Sequence, residues 1–274
     1  MRSVLITGGS GFLGEGLIEY LVRGPLQGQV ERVCVYSRGE YRQAQLRVKF
    51  PEGKLRWFIG DVRDERRLRR ALHGVDTVIH AAALKRIEVG EYNPSEMFAT
   101  NITGTQNVLD AAEDAGVKTA VLVSSDKAYQ PVSPYGISKA AAEALFRRHN
   151  GKLKTTIVRY GNVAGSTGSV IPMWRAIEGR VRVTDPDCTR FWMTREHAVE
   201  FVLSFAVHPV HVLRTPVLPA FRLGDLAEAM GKKYNVIGLP EHEKMHESMG
   251  PGKSSDSARR MTVDELREEL KRVP

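Results

Sequence analysis

A tyrosine and a lysine four residues apart, Tyr135 and Lys139, are the residues whose types and spacing most directly indicate chemistry. On a helix, residues at this spacing lie on one face. A nearby cation stabilises a phenolate and lowers the pKa of a tyrosine from its ordinary value of about 10. Such a tyrosine can take the proton of a hydroxyl group while a hydride leaves the same carbon for a nicotinamide. The pair therefore predicts oxidation and reduction of an alcohol, although a lone Tyr-x-x-x-Lys also occurs by chance on protein surfaces.

Three glycines with the spacing G-x-G-x-x-G, at Gly9, Gly11 and Gly14, indicate a dinucleotide-binding turn. They directly follow a short apolar run and open a helical pattern. In that context glycines permit a tight turn and a close approach of the backbone, and the start of the helix offers free N–H groups to a pyrophosphate. The alternative, a turn with spare glycines, does not explain the flanking strand and helix patterns.

The end of the second predicted strand indicates which dinucleotide is bound. An NAD site places an acidic residue there to accept a hydrogen bond from the ribose 2′-hydroxyl. This strand instead ends in Ser37 and Arg38, a hydroxyl and a guanidinium that suit a 2′-phosphate. We therefore expect NADP rather than NAD, although Glu40 lies close enough to complicate the choice. Asp61, after the third strand, is expected to meet the adenine amino group.

The elements that must position these residues alternate along the first half of the chain. Short apolar runs predict strands over 4–7, 32–37, 55–59, 77–81, 119–124 and 155–160. Helical patterns between them cover 12–22, 65–72, 95–114 and 134–150, and the last of these carries Tyr135 and Lys139. Such alternation is typical of βαβ units around a parallel sheet. The predicted fold class is α/β, a Rossmann-like doubly wound parallel sheet.

After Tyr160 the alternation decays. Residues 161–172 predict a loop rich in glycine and serine, and helical patterns follow over 196–205, 223–230 and 263–270. We predict an NADP-binding Rossmann domain over 1–160. We also predict a small C-terminal substrate-binding lobe over 161–274, which is interleaved with the first domain and does not fold independently.

Composition excludes several classes of protein. The 274 residues are 42% hydrophobic and 26% charged, which are ordinary globular values and exclude a disordered or fibrous chain. No apolar run approaches the ~20 residues that span a bilayer, and the start of the chain leaves no room for a signal peptide. Two cysteines cannot form a disulfide framework. A net charge of +8 permits an anionic partner, but the basic residues are scattered, which argues against nucleic acid. We expect a cytoplasmic protein that binds a small anion.

Several segments give the chain a resemblance to a known family. The glycine motif together with Tyr135 and Lys139 resembles the extended short-chain dehydrogenase/reductase superfamily. Within it, the chain is similar to the soluble UDP-N-acetylglucosamine 4,6-dehydratases that invert C5, of the polysaccharide biosynthesis protein family. The segments that carry this similarity are Ala82–Lys85, Glu91–Pro94, Ser125–Ala128, Val158–Val163, Gly168–Pro172, Arg190–Thr194 and Glu243–Glu247. The Asp-Lys pair is the most specific of them, because ordinary sugar-nucleotide dehydratases carry Asp-Glu there.

The resemblance implies roles for the residues at the end of the fifth strand. Oxidation at C4 makes the C5 proton acidic, a base removes that proton, an acid assists loss of the C6 hydroxyl as water, and hydride returns to C6. Lys127 is implied as the base, which requires a lowered pKa. Asp126 is implied as the acid, which requires a raised pKa. Ser125 stands where the family commonly has threonine and is expected to bond a sugar oxygen.

The resemblance also implies two binding sets and a homo-oligomer. The residues expected to bind NADP are Thr7, Gly8, Gly9, Ser10, Gly11, Phe12, Leu13, Gly14, Ser37, Arg38, Asp61, Val62, Ala81, Ala82, Ala83, Ser124, Tyr135, Lys139, Tyr160, Asn162 and Val163. The residues expected to bind the UDP-sugar are Lys85, Ser125, Asn162, Val170, Pro172, Arg190 and Glu243, with Arg190 a candidate for the diphosphate. Two departures concern the same site: Pro240 to Lys244 lacks an arginine that relatives carry, and the segment between Ala206 and Arg222 is short.

Three further patterns lead to different functions. His242 to His246 satisfies H-E-x-x-H, which on a helix would bind zinc, but it has no evident third ligand, so we expect no metal. His80 and Cys34 lie on predicted strands and are expected in the core. A 4-epimerase or a dehydratase acting on another sugar nucleotide, and a non-catalytic dinucleotide-binding sensor, remain the alternatives to a UDP-N-acetylglucosamine dehydratase.

Overall fold

The main sheet is built from seven parallel strands in the order β10-β6-β5-β4-β1-β2-β3 in the computed structural model, which describes residues 1–273. The strands are β1 (Ser3–Thr7), β2 (Arg32–Ser37), β3 (Leu55–Ile59), β4 (Thr77–His80), β5 (Thr119–Ser125), β6 (Lys154–Tyr160) and β10 (Leu213–Arg214). Chain order reverses between β1 and β4, and in open α/β sheets ligands bind outside the carboxyl ends of the strands at this position. The predicted Rossmann-like fold class is confirmed.

The middle of each central strand is apolar because helices cover both faces of the sheet. Val4 to Ile6 of β1 are fully buried, and so are Val78 and Ile79 of β4. The covering helices are α1 (Phe12–Arg23), α2 (Glu40–Lys49), α3 (Glu65–Ala71), α4 (Ile87–Tyr92), α5 (Pro94–Phe98), α6 (Gly104–Asp114), α7 (Pro134–Arg148) and α9 (Arg195–Val207). Within residues 1–273, none of the helices combines the length and the apolar character needed to cross a membrane.

The structure departs from the sequence expectation at two helices. The helix predicted over 95–114 is three consecutive pieces, because a π-helical turn at Ala99–Thr103 separates α5 from α6. Helix α2 had no prediction, since only Gln43 and Leu46 of its ten residues are buried and it carries no apolar stripe.

The second half of the chain adds elements to the main sheet and its helices, and it also forms a core of its own. Strand β10 pairs with β6 at the sheet edge, and α9 shares an apolar core with α1. The remaining elements are β7 (Asn162–Val163), α8 (Val170–Arg175), β8 (Val181–Val183), β9 (Thr189–Met193), β11 (Ala220–Arg222), α10 (Leu223–Ala229), β12 (Tyr234–Val236) and α11 (Val263–Leu270). The loop predicted over 161–172 is wrong at both ends, where β7 and the first turn of α8 form.

These elements of the second half enclose a small core of their own. It contains Trp174, Trp192 and Phe221, with Leu226 and Leu266 from the two helices α10 and α11. The division of function at Tyr160 remains a proposal, and the last residue of the proposed lobe, Pro274, lies outside the described residues.

Candidate active site

A cleft of about 500 Å³ lies over the carboxyl ends of the central strands. The residues that line it come from every loop that leaves this edge. They are Gly8, Ser10–Gly14, Tyr36–Gly39, Gly60–Val62, Ala81–Ala83, Lys85, Thr100, Val123–Ser125, Lys127, Tyr135, Lys139, Tyr160–Val163, Ser166 and Ser169. Most residues of the predicted site therefore lie together.

The glycine turn at one end of the cleft has the shape that a dinucleotide phosphate requires. Gly8 has a φ of +69°, and a β-carbon there would lie 2.9 Å from the backbone of Ala82. Its N–H donates to the carbonyl of Tyr36 at 2.8 Å, which fixes the turn against β2. Helix α1 starts after Gly11 with no side-chain cap, so the N–H groups of its first turn stay available to an anion. These residues fit a dinucleotide.

The end of β2 presents one exposed cation and one buried hydroxyl to the same cleft. Arg38 has a side chain that is 53% exposed, and its nearest carboxylate oxygen, on Asp61, is 3.7 Å away. Ser37 is buried, and its hydroxyl oxygen accepts from the Nε2 of Gln43 at 2.8 Å. Because that oxygen accepts from an amide, its hydrogen remains available to a group in the cleft.

Asp61 is already engaged by a neighbouring arginine. Arg63 donates to its carboxylate from Nε at 3.0 Å and from Nη2 at 2.8 Å. Partial burial raises the pKa of Asp61, but the hydrogen bonds from Arg63 outweigh it and the pKa is lowered. Contact between Asp61 and an adenine amino group stays a prediction.

Tyr135 and Lys139 lie in the first turns of α7, and both line the cleft. Ser133 begins the helix by accepting from the N–H of Gly136 at 3.2 Å, and Pro134 occupies the first helical position. Lys139 donates to the carbonyl of Val123 at 2.6 Å. Burial lowers the pKa of Lys139 to about 8, against the opposing influence of the Glu143 carboxylate.

The expectation that Lys139 lowers the pKa of Tyr135 is wrong for this resting arrangement. Burial raises the pKa of Tyr135, and the charge that opposes this is the ammonium of Lys127. The Ser125 hydroxyl also lowers the pKa of Tyr135 through a hydrogen bond. The cation that favours the phenolate of Tyr135 is therefore Lys127, which directly follows β5. The ammonium of Lys139 instead donates to a backbone carbonyl.

Asp126 and Lys127 form a single 3₁₀ turn directly after β5. Asp126 is fully buried, and its Oδ1 accepts from Lys127 Nζ at 3.2 Å and from the Ser125 hydroxyl at 3.0 Å. Its Oδ2 is buried without a hydrogen-bond partner. Burial raises the pKa of Asp126, which is the direction expected of an acid.

The expected lowering of the pKa of Lys127 is wrong for the same arrangement. Burial alone would lower it, but the carboxylates of Asp126 and Glu247 outweigh burial and raise the pKa. Glu247 Oε1 lies 3.2 Å from Lys127 Nζ, and the side chain of Glu247 is 2% exposed. Two carboxylates around one partly buried amine therefore hold it as an ammonium.

Seven of the predicted residues do not line the cleft. They are Thr7, Gly9, Asp126, Val170, Pro172, Arg190 and Glu243. Arg190 is 4% exposed, donates to the carbonyl oxygens of Thr189 and Met245, and pairs with Glu243 at 3.3 Å. A contact between Arg190 and a diphosphate stays a prediction, and it requires the guanidinium to exchange one of these partners.

Sequence reasoning missed the residues that lie behind the reactive groups. Glu247 had no role assigned, although it ends a segment that carried the family resemblance. Glu143 lies one turn after Lys139, where it accepts from the Ser124 hydroxyl at 2.6 Å and from Arg159 Nε at 2.8 Å. The signal that could have found it is its spacing, because residues four apart on a helix share a face and Glu143 follows Lys139 at that spacing.

The two expected histidine roles are decided by their surroundings. His80 is buried between the hydroxyls of Thr7 and Thr105, at 2.7 and 2.9 Å, and burial lowers its pKa to about 3. It is a core residue, as expected. The H-E-x-x-H segment is not helical, and His246 bonds to Thr189 at 2.8 Å. No group of three metal-ligating side chains occurs within the described part of the chain.

Comparison with known proteins identifies the family. The sequence profile of the polysaccharide biosynthesis protein family matches residues 4–266. The chain belongs to this family. A relative from Campylobacter jejuni, UDP-N-acetylglucosamine 4,6-dehydratase (inverting), is 40% identical over 261 residues, which is 90% of this chain and 77% of the relative. UDP-glucose 4-epimerase of Rickettsia rickettsii is 34% identical, with the same coverage of each chain.

A solved structure shows how closely the fold is shared. The X-ray structure of Pen from Bacillus thuringiensis superposes with a TM-score of 0.89 at 31% identity. The match covers 99% of this chain and 98% of that one. The predicted family membership is confirmed, and the shared fold extends over both halves of the chain.

Proposed function

We propose that the protein is an NADP-dependent UDP-N-acetylglucosamine 4,6-dehydratase that inverts the configuration at C5. The observation that carries the proposal is the adjacent acid and amine at the end of β5, where Asp126 and Lys127 lie 3.2 Å apart beside Tyr135. The similarity to the Campylobacter relative, whose name states this activity, supports the proposal.

The oxidation step belongs to the cleft residues of α7. A nicotinamide held by the glycine turn and the end of β2 would supply the redox chemistry: it would accept hydride from C4 of the sugar and give it back to C6, with a proton added at C5. Tyr135 takes the proton of the C4 hydroxyl, because its phenol lines the cleft and can act as an acid or a base. The ammonium of Lys127, which also lines the cleft, stabilises the developing phenolate.

The elimination step belongs to the turn after β5. Once C4 is a ketone, the C5 proton is acidic and Lys127 removes it as a neutral amine. Asp126 gives its proton to the departing C6 hydroxyl, which leaves as water. The buried, unpartnered Oδ2 of Asp126 favours the protonated acid, since burial penalises the charged carboxylate.

The choice of NADP rests on Arg38. Its guanidinium is more than half exposed and makes only a long contact to Asp61, so it is free to pair with a 2′-phosphate. The available hydrogen of the Ser37 hydroxyl supports the same choice. In this proposal Glu40, the first residue of α2, does not take the place of the missing acidic residue at the end of β2.

The UDP-sugar would lie on the remaining cleft wall. Lys85 and Asn162 line that wall, and burial lowers the pKa of Lys85. Val170 and Pro172 form the first turn of α8 behind it. By family resemblance we also expect a cytoplasmic homo-oligomer, which sedimentation of the purified protein would test.

A second candidate function is 4-epimerisation of a UDP-sugar. It is favoured by the 34% identity to a relative named UDP-glucose 4-epimerase. Epimerisation needs the tyrosine but neither the acid nor the amine after β5. The buried pair of Asp126 and Lys127 therefore favours the dehydratase.

Mass spectrometry of the product distinguishes the two candidates. The purified protein is incubated with NADP and UDP-N-acetylglucosamine, and the dehydratase predicts a product that has lost one water. Tyr135→Phe, which keeps the ring and removes the hydroxyl, should give no product. Recovery of only substrate and its C4 epimer would contradict the dehydratase.

A further inference from the structure

Glu247 is a buried carboxylate that the steps above do not use. It lies in the segment after β12, far along the chain from the turn that holds Asp126 and Lys127. Its backbone is fixed by Ser255, whose hydroxyl accepts from the N–H of Glu247 at 2.9 Å and whose own N–H donates to the carbonyl of Glu247 at 2.7 Å. Its side chain reaches two amines, Lys127 at 3.2 Å and Lys244 at 3.1 Å.

Each charged group around Lys127 and Glu247 has a neighbour of opposite charge. Lys127 is faced by Asp126, Glu247, Arg190 and Tyr135. Glu247 is faced by Lys127, Arg190 and Lys244. Arg190 has its own partner in Glu243 at 3.3 Å, and Lys244 also donates to the carbonyl of Tyr129 at 2.9 Å. With Glu247 balanced by Lys244, the charges of Asp126 and Lys127 balance each other.

We propose that Asp126 and Lys127 share a single proton that moves between them during turnover, and that Glu247, balanced by Lys244, is the positioning residue that holds the amine against the acid. The proposal rests on the dehydration reaction proposed above. It follows from the geometry, because Nζ of Lys127 lies 3.2 Å from an oxygen of each carboxylate.

The proton transfer creates the acid and the base together. A proton leaves Nζ of Lys127 and binds Oδ1 of Asp126, so an ammonium and a carboxylate become a neutral amine and a carboxylic acid. In the elimination, Nζ takes the C5 proton, and the C5–H electron pair forms the C5–C6 double bond. The C6–O bond breaks with its electrons, and the hydroxyl takes the proton of Asp126 and leaves as water.

The elimination therefore returns the pair to the charged form in which it started. One further transfer across the same 3.2 Å contact restores the amine and the acid. The pair is active only with one proton, because with two it has no base and with none it has no acid. A bell-shaped dependence of the elimination rate on pH follows, and its two limbs belong to the pair rather than to either residue.

The charge of Glu247 determines the pH range in which the elimination is fastest. Its negative charge lies close to both groups and favours their protonated forms, so it raises the pKa of Lys127 and of Asp126. Glu247→Gln should therefore move both limbs to lower pH, by about one to three pH units at this contact distance. Lys244→Met removes the cation that balances Glu247 and should move both limbs to higher pH.

The test compares these opposite variants by two readouts on the full-length protein. The first is the pH dependence of the Lys127 side-chain carbon resonance in protein with isotope-labelled lysine, assigned with Lys127→Met. The second is the single-turnover rate of water loss from UDP-N-acetylglucosamine as a function of pH. Glu247→Asp should restore the limbs toward their wild-type positions, and Asp256→Asn, which removes an exposed charge from the same segment, should leave them in place.

The outcomes separate this inference from the proposed function. Opposite shifts in Glu247→Gln and Lys244→Met support the shared proton, whereas a lower rate with unmoved limbs in both variants makes Glu247 merely structural and overturns the inference. If Glu247→Gln does not fold, Lys244→Met and Glu247→Asp still decide the direction. If the wild type removes no water, the proposed function fails, and the resonance of Lys127 still reports whether Glu247 controls its proton.

Discussion

The two ends of the cleft hold their charged side chains in different ways. At the nucleotide end, Arg38 is more than half exposed and its nearest carboxylate is 3.7 Å away. At the acid–base end, the side chains of Lys127 and Glu247 are only 18% and 2% exposed, and their charged groups are 3.2 Å apart. An exposed, loosely paired cation is free to bind an anion, whereas buried, closely paired groups change the proton affinity of one another. The same types of residue therefore serve binding at one end and proton transfer at the other.

The acid–base end also contains its own contrast, between the buried Lys139 and the partly buried Lys127. The amine of Lys139 meets a backbone carbonyl, and burial lowers its pKa to about 8. The amine of Lys127 meets two carboxylates, which raise its pKa. The number of carboxylates in contact, and not the degree of burial, decides the direction.

The largest expected effect comes from removing the amine at the acid–base end. Lys127→Ala should lower the rate of water loss by about 10²–10⁴-fold or more, since a general base contributes about that factor. Binding of NADPH should not change, because the nucleotide end lies elsewhere in the cleft. The rate is followed by product mass, and cofactor binding by calorimetry. Dehydration at the wild-type rate would remove Lys127 from the mechanism.

The next prediction compares a buried ion pair with an exposed one by what each contributes to the free energy of unfolding. Glu143→Gln breaks a buried ion pair with Arg159 and should lower the free energy of unfolding by about 3–5 kcal/mol. Glu268→Gln, which removes one partner of the exposed pair with Lys271, should cost no more than about 1 kcal/mol. Urea unfolding measures both, and equal losses would show that burial of the pair is unimportant.

A pH dependence of stability tests the lowered pKa of Lys139. Between pH 8 and 10.5 the unfolded chain keeps a proton on Lys139 that the folded chain has lost, so wild-type stability gains from this group as pH rises. The change from 10.5 to about 8 corresponds to about 3 kcal/mol. Lys139→Met lacks this gain, so the difference in unfolding free energy should favour the wild type increasingly across that window. Parallel stability curves for the two proteins would contradict the lowered pKa.

The smallest expected effect lies at the nucleotide end. Arg38→Ala should weaken NADPH binding by about tenfold to a hundredfold, as expected for loss of about 1.5–3 kcal/mol of charge-assisted hydrogen bonding. Binding of NADH, which lacks the 2′-phosphate, should change little. Titration of both cofactors at one salt concentration measures the ratio. An equal loss for both would mean that Arg38 does not select NADP.

The sequence predicted the nucleotide end of the cleft better than the acid–base end, because the nucleotide end is built from short segments of consecutive residues. The glycine turn and the strand end at Ser37 are short segments recognisable from local sequence, and most of their residues line the cleft. Their contact with a dinucleotide stays a prediction. The first six strands were placed within one residue of their observed ends. The π-helical turn at Ala99–Thr103 was not, because no residue pattern marks it.

The charges at the acid–base end could not be predicted in the same way. Adjacent residues predicted the pair of Asp126 and Lys127, but the carboxylate that raises the pKa of Lys127 comes from Glu247, more than a hundred residues later in the chain. The partner of Lys139 likewise depends on the position of Val123 in β5, not on the helix that carries it. Proton affinities depend on contacts between distant segments, and only the folded chain brings these together.

The most direct test of the dehydratase account is the fate of hydrogen at C5. The wild-type protein is incubated with UDP-N-acetylglucosamine and NADP in deuterated water, and the product is analysed by NMR. The account predicts a 4-keto-6-deoxy sugar with deuterium at C5 and inverted configuration there. A product that keeps its original C5 hydrogen, or one in which only the C4 configuration has changed, would contradict it.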